Sequence, residues 1–132
     1  MDIEKKIKPL VEILNEVPYI RTTSNCEGHF DSDEHLRHSA NVIFEVEASY
    51  EKEIENLAYR IMEITEPNWF NRSVEFYKRF FKSPSNPSLD INWVIEIQPI
   101  DGKTPPSEKR SYADEAIAKI TLAVKKYLQD YS

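Results

Sequence analysis

Glycine is nearly absent from this 132-residue chain, with only two, and there is a single cysteine. One cysteine cannot form an internal disulfide, so the fold has to stand on its apolar core, and a reducing compartment is the natural expectation. No apolar run approaches the roughly 18 residues that a membrane-spanning helix needs. The N-terminal stretch Met1-Asp2-Ile3-Glu4-Lys5-Lys6-Ile7-Lys8 is charged and amphipathic, unlike a secretory signal. These features together predict a cytoplasmic protein. Positive charge is also short: 17 Lys and Arg against 23 Asp and Glu leave a net charge of −6. That balance argues against a wholly basic nucleic-acid coat, though not against a local basic patch.

What is present suits a single folded domain over 1–132, since hydrophobic residues make up 40% and charged residues 30%. Three segments have helical periodicity. Ile3, Ile7, Leu10, Val11 and Leu14 form one stripe, and Pro9 predicts that this helix starts or bends nearby. Ile54, Leu57, Ala58, Ile61, Met62 and Thr65 form a second, with Ser49 as its expected N-cap. Ala113, Ile117, Ile120, Val124, Tyr127, Leu128 and Tyr131 form a third, opened by an expected capping box of Ser111 and Asp114.

Strands are expected at 19–23, at 42–46, at 73–81 and at 91–97. In the second of these, Val42, Phe44 and Val46 alternate with Glu45 and Glu47. In the fourth, Ile91, Trp93, Ile95 and Ile97 alternate with polar residues. The order predicts an α+β fold: a four-stranded, mainly antiparallel sheet with three helices. The two halves also look alike. Asn41-Val42-Ile43-Phe44-Glu45-Val46 parallels Asn92-Trp93-Val94-Ile95-Glu96-Ile97, which suggests a weak internal duplication of an α-β-β unit.

The halves diverge between their strands. The second has the turn-rich Lys82-Ser83-Pro84-Ser85-Asn86-Pro87-Ser88. The first has residues 25–40, which carry the only cysteine, all three histidines and four acidic residues. Functional groups concentrate on loops held by a rigid scaffold, so the site is expected there. Gly28 suits either a positive-φ turn or a close backbone approach to a ligand. Thr22, Thr23 and Ser24 offer hydroxyls to a ligand or to local backbone.

Three chemistries fit the residue types. Cys26-x2-His29 and His35-x2-His38, with Asp31 and Asp33 between, supply thiolate, imidazole and carboxylate ligands of the kind zinc takes. Cys26 beside His29 would also suit a thiolate nucleophile, although no orienting third group is evident. Separately, Arg72, Lys78, Arg79 and Lys82 interleave with Trp69, Phe70, Phe76, Tyr77, Phe80 and Phe81, a mixture that could meet the phosphates and bases of RNA.

The segment Thr22-Thr23-Ser24-Asn25-Cys26-Glu27-Gly28-His29 resembles the threonine-threonine-serine-serine-cysteine-serine-glycine-arginine motif of the wybutosine-pathway tRNA methyltransferases. The resemblance implies a small-ligand-binding domain related to S-adenosylmethionine-dependent tRNA modification enzymes. It implies that Thr23, Ser24, Cys26 and Gly28 lie at the S-adenosylmethionine and substrate site; in a methyltransferase, Glu27, Asp31 or Asp33 would favour the positive sulfonium of the cofactor and His29 would take the acceptor's proton. His29 stands where that family has arginine, and Glu27 adds a charge where it has a small neutral residue. Of a different class is a noncatalytic metal-binding or protein-interaction domain. For zinc, the ligands would be Cys26, His29, His35 and His38.

Overall fold

The structure is a computed structural model describing residues 2–30, 39–65, 72–85, 87–99 and 105–131. Helix α1 (Lys8–Asn15) leads into strand β1 (Ile20–Glu27) and β2 (Ala40–Val46). A 3-10 turn (Ala48–Tyr50) opens α2 (Glu51–Thr65), followed by β3 (Arg72–Phe81), β4 (Asp90–Pro99) and α3 (Pro106–Tyr131). The four strands form one fully antiparallel sheet in the order β1-β2-β4-β3. The α+β class, strand count and helix count expected from periodicity are all found.

Alternation decides which face of the sheet is buried. Val42 and Phe44 of β2, Ile95 and Ile97 of β4, and Val74 of β3 point to one side and are buried. All three helices lay their apolar stripes there, in a single core. α3 lies between the other two, touches both, and packs against the central strand β4. Its core side repeats as Ala113, Ala116, Ile117, Ile120, Ala123, Val124 and Tyr127, and the small residues allow close approach. On the uncovered side, Ile43, Val94 and Tyr77 are flanked by Glu45, Glu75 and Glu96, in keeping with a sheet wet on one face.

The β2–β4 pairing is symmetric about Ile43 opposite Val94, residues that hold equivalent places in the two similar stretches. The symmetry weakens outward. The β1–β2 ladder carries a bulge between Thr22 and Ser24, whereas the β3–β4 ladder runs unbroken. Descent of the halves from one unit does not follow from this local symmetry.

Three boundaries depart from the sequence expectation. β1 runs four residues past Thr23, to Glu27, because its polar second half still pairs with Ile43, Val42, Asn41 and Ala40. The chemistry-bearing residues Ser24, Cys26 and Glu27 therefore stand on an edge strand and not on a loop. α3 begins at Pro106, so Ser111 is an exposed mid-helix residue and the Ser111–Asp114 capping box does not form. Proline needs no amide partner in a helix's first turn, which makes it a sufficient start. Ser49 lies within the 3-10 turn and does not cap α2. Pro9 does fall in the first turn of α1, as expected.

A polar tie runs through one end of the core. The hydroxyls of Tyr19 and Tyr127 are 2.5 Å apart, and Tyr127 donates to Glu53 Oε1 at 2.7 Å. Tyr50 stacks on Tyr19, and Tyr131 on Tyr127. The turn leading into β1, the 3-10 turn, α2 and α3 are thereby joined in one network. Burial pushes the Tyr19 phenol up to about 12 from 10.0, and burial together with bonds to Tyr19 and Glu53 raises Tyr127 as well.

A phenol held neutral by the fold contributes stability below its unfolded pKa and loses it as pH rises toward the folded value. Stability should thus decline between about pH 10 and 12. Tyr127→Phe removes the partner of the buried Tyr19 hydroxyl and of the partly buried Glu53 carboxylate and should cost about 1–3 kcal/mol at neutral pH, with a flatter alkaline limb. Urea denaturation of both proteins across this pH range measures the two effects; a wild-type stability unchanged at pH 12 would contradict the tie.

Candidate functional site

The N-terminal segment ahead of α1 is fastened to β1 by side chains. Asn25 Oδ1 accepts from the Glu4 amide at 3.0 Å, and its Nδ2 donates to the Asp2 carbonyl at 3.1 Å. Glu27 Oε1 accepts from the Lys6 amide at 3.0 Å. In return the Glu27 amide donates to Glu4 Oε1 at 2.7 Å. These reciprocal bonds give the edge of β1 a cover in place of another strand. They also bring a carboxylate to Cys26.

Gly28 then turns the chain out of β1 at φ +93°. Its carbonyl accepts from Arg110 Nη1 at 2.9 Å, and the Arg110 guanidinium lies over the Phe30 ring. The turn returns His29 toward the N-terminal segment, where Nε2 lies 3.2 Å from Glu4 Oε2. Glu4, Cys26 and His29 each offer one ligand atom, and the three atoms lie within 4.8 Å of one another. All three residues are partly exposed.

The electrostatics of this cluster favour the protonated thiol. Burial raises the Cys26 thiol above its ordinary value, the Gly28 amide opposes this, and Glu4 and Glu27 raise it further. A neutral thiol beside carboxylates is a poor nucleophile, because attack needs the thiolate. His29 Nε2 is engaged with Glu4. The cysteine-nucleophile reading therefore gains nothing from the geometry. A cation would reverse the balance by stabilising thiolate and carboxylate together.

Two hydroxyl residues of the motif, Thr22 and Thr23, have internal occupations. Thr22 is clamped by Asn15, whose Oδ1 accepts the Thr22 amide at 2.9 Å while Nδ2 donates to Thr22 Oγ1 at 2.7 Å. Thr23 Oγ1 donates to the Ile43 carbonyl at 3.3 Å. Ser24 is exposed beside Ile43 in the ladder. His35 and His38, like Asp31 and Asp33, lie outside the described residues.

The basic residues of the second half do not converge. Lys78 faces the helices, pairing with Glu51 at 2.7 Å and lying over the Phe80 and Trp93 rings. Arg79 takes the opposite face, donating to Asn92 Oδ1 at 3.0 Å. Arg72 opens the ten-residue strand β3 and Lys82 follows its last residue, which sets their backbones roughly 30 Å apart. Phe76 is partly buried and packs on the core, against Phe44 and Trp93. Trp69 and Phe70 are outside the described residues.

Glu4 is the functional candidate that sequence reasoning missed. Its spacing from Cys26 gives no signal, and within an amphipathic helix it reads as a solvated face. Comparison with protein-family models, curated proteins and solved structures returns no match.

Gly28 can now be assigned a structural role. A Cβ there would sit 2.5 Å from Phe30 Cζ and 3.3 Å from the Ala40 amide, at a φ that side chains rarely adopt. Gly28→Ala should therefore cost about 1–3 kcal/mol in stability, from backbone strain and displacement of the buried Phe30 ring. Thermal denaturation tests this, and an unchanged melting temperature would mean that the turn is dispensable.

Proposed function

We propose that this protein binds a divalent transition-metal ion, of the zinc class, through Glu4, Cys26 and His29. One observation carries the reading: three ligand atoms of suitable type, from the N-terminal segment, β1 and the turn after it, lie within 4.8 Å of one another. Tetrahedral zinc with bonds of 2.0–2.3 Å needs ligand atoms roughly 3.3–3.8 Å apart, so a modest contraction suffices. Mixed thiolate, imidazole and carboxylate donors suit zinc better than magnesium or calcium. The Glu27 amide on Glu4 and the Gly28 amide at Cys26 would act as outer-shell supports. Three protein ligands leave a fourth position for water, substrate or a further side chain.

The S-adenosylmethionine reading has less support from the geometry. Thr22 and Thr23 are hydrogen-bonded within the fold, and Gly28 is explained by its turn and by Phe30. Should the protein be an enzyme, the metal reading assigns its reaction to the open position on the ion.

Titration of the metal-free protein with zinc should give one saturable site. Cys26→Ser should weaken it by more than the roughly ten- to hundredfold typical of outer-shell losses, and His29→Ala and Glu4→Gln should each weaken it clearly. Binding must expel the Cys26 proton, and imidazole must also be neutral. Affinity should therefore fall as pH drops, with proton release detectable in a weakly buffered indicator. Wild-type zinc affinity in all three variants would end this proposal. S-adenosylmethionine binding by the metal-free protein would restore the other reading.

A further inference from the structure

The chain treats the two edges of its sheet differently. The outer edge of β1 is interrupted by a bulge and covered by the N-terminal segment through Asn25, Glu27 and Glu4. β3 is the other edge, and its ten residues run without a break in register against β4. Among the described residues no strand pairs with its outer side. An open ladder of this length invites another strand, and the usual protections are a short strand, a bulge, a proline or charge. β3 has only charge, so the placing of its charges decides what can pair there.

A groove of about 480 Å³ runs along this outer side. It is lined by the consecutive residues Val74, Glu75, Phe76 and Tyr77 and walled by Met62 of α2, with no residue of β4, so it opens away from the sheet. Three side chains of the strand lack a match within the chain. Phe80 is 58% exposed although it points to the helix side, and Ile91 across the ladder is exposed as well, because the helices do not cover that end. Glu75 lies opposite a like charge, Glu96, and Arg79 opposite the neutral Asn92. Among the described residues neither Glu75 nor Arg79 has an ion pair. Both are exposed on the open face, roughly 13 Å apart along the strand and too far to meet each other.

We infer that the outer edge of β3 pairs antiparallel with the same edge of a second copy of this chain, about a two-fold axis at Tyr77, giving one eight-stranded sheet. In such a pair one residue lies opposite its own copy, and residues equally far on either side of it lie opposite each other. Centred on Tyr77, Glu75 meets the partner's Arg79 and Arg79 meets the partner's Glu75, two opposite-charge pairs on the open face. On the helix side Phe80 comes opposite the partner's Val74, at the groove beside Met62, and Phe76 opposite the partner's Lys78. Neighbouring centres fail. Glu75, Lys78 or Arg79 at the axis would set like charges on each other, and Phe76 at the axis would set Val74 opposite the partner's Lys78. The interface lies at the opposite edge from Cys26, so it does not depend on the metal reading.

The test is sedimentation equilibrium of the full chain, kept metal-free with a chelator. The wild type should show a reversible equilibrium between one chain and two. Glu75→Arg and Arg79→Glu should each weaken the dimer by about tenfold or more, since each turns two attractive contacts into repulsive ones. Mixed in equal amounts, these two variants should recover association close to wild type, because every contact in the mixed dimer again joins opposite charges. Phe80→Ser, at another exposed position, should weaken the dimer without any change of charge, and circular dichroism checks that each variant is folded. A wild type that stays monomeric up to about 1 mM, where even a weak pairing would register, overturns the inference and leaves the edge to an extended segment of another protein. A dimer indifferent to all three substitutions overturns it, as do folded charge variants that do not recover on mixing. A dimer that forms only with zinc belongs to the metal cluster and overturns it too.

Discussion

The pairing of β2 with β4 is the constraint on which the rest of the fold depends. These strands are sequence-distant, and joining them brings two local hairpins into one sheet. It also sets Val42, Phe44, Ile95 and Ile97 side by side as a floor, and they are fully buried. Burying that floor is favourable at roughly 25 cal/mol per Å² of apolar surface, and α3 does so along the chain's longest stripe. A slip of one residue would send every one of these side chains to the wet face. With this register fixed, α1 and α2 are left the flanks over β1 and β3.

The candidate site occupies the place where this constraint is weakest. The second half of β1 is an edge, and an edge strand exposes unpaired backbone groups. Here the N-terminal segment meets that half through Asn25, Glu27 and Glu4, so its cover is hydrogen-bonded and not apolar. A polar seam can hold a thiol, an imidazole and two carboxylates with little burial of unpaired charge. The core proper could not, since it is lined by aliphatic and aromatic groups. The bulge at Thr23 separates the two regimes. Before it, Ile20 and Thr22 are buried, and after it the residues are exposed or partly so.

Much of the scaffold was legible in the sequence because buried faces impose a period. Alternation at 42–46 and 91–97 and the three helical stripes describe the sheet and helices correctly. Legibility failed where no apolar face is involved. Ser24 to Glu27 are poor in apolar residues, yet pairing with β2 keeps them extended. Ser111 and Asp114 have the chemistry of a capping box, but Pro106 starts the helix earlier. Of the site, Cys26, Gly28 and His29 were found by concentration of rare residue types. Glu4 was not, because hydrogen bonds to residues more than twenty positions away hold it in place. Such bonds leave no periodic trace.

The distribution of charge within the site carries the last step. Glu4 and Glu27 surround a thiol whose proton they help to retain. Across the Gly28 turn, Arg110 holds the Gly28 carbonyl and an ion pair with Asp114, while Glu4 turns to His29 and to the Glu27 amide. Both signs are thus satisfied locally, and neither set has to cross the turn. The guanidinium over Phe30 and the positive φ of Gly28 then hold His29 on the side of the N-terminal segment. The carboxylate beside Cys26 therefore meets an imidazole and a thiol, with the guanidinium engaged elsewhere.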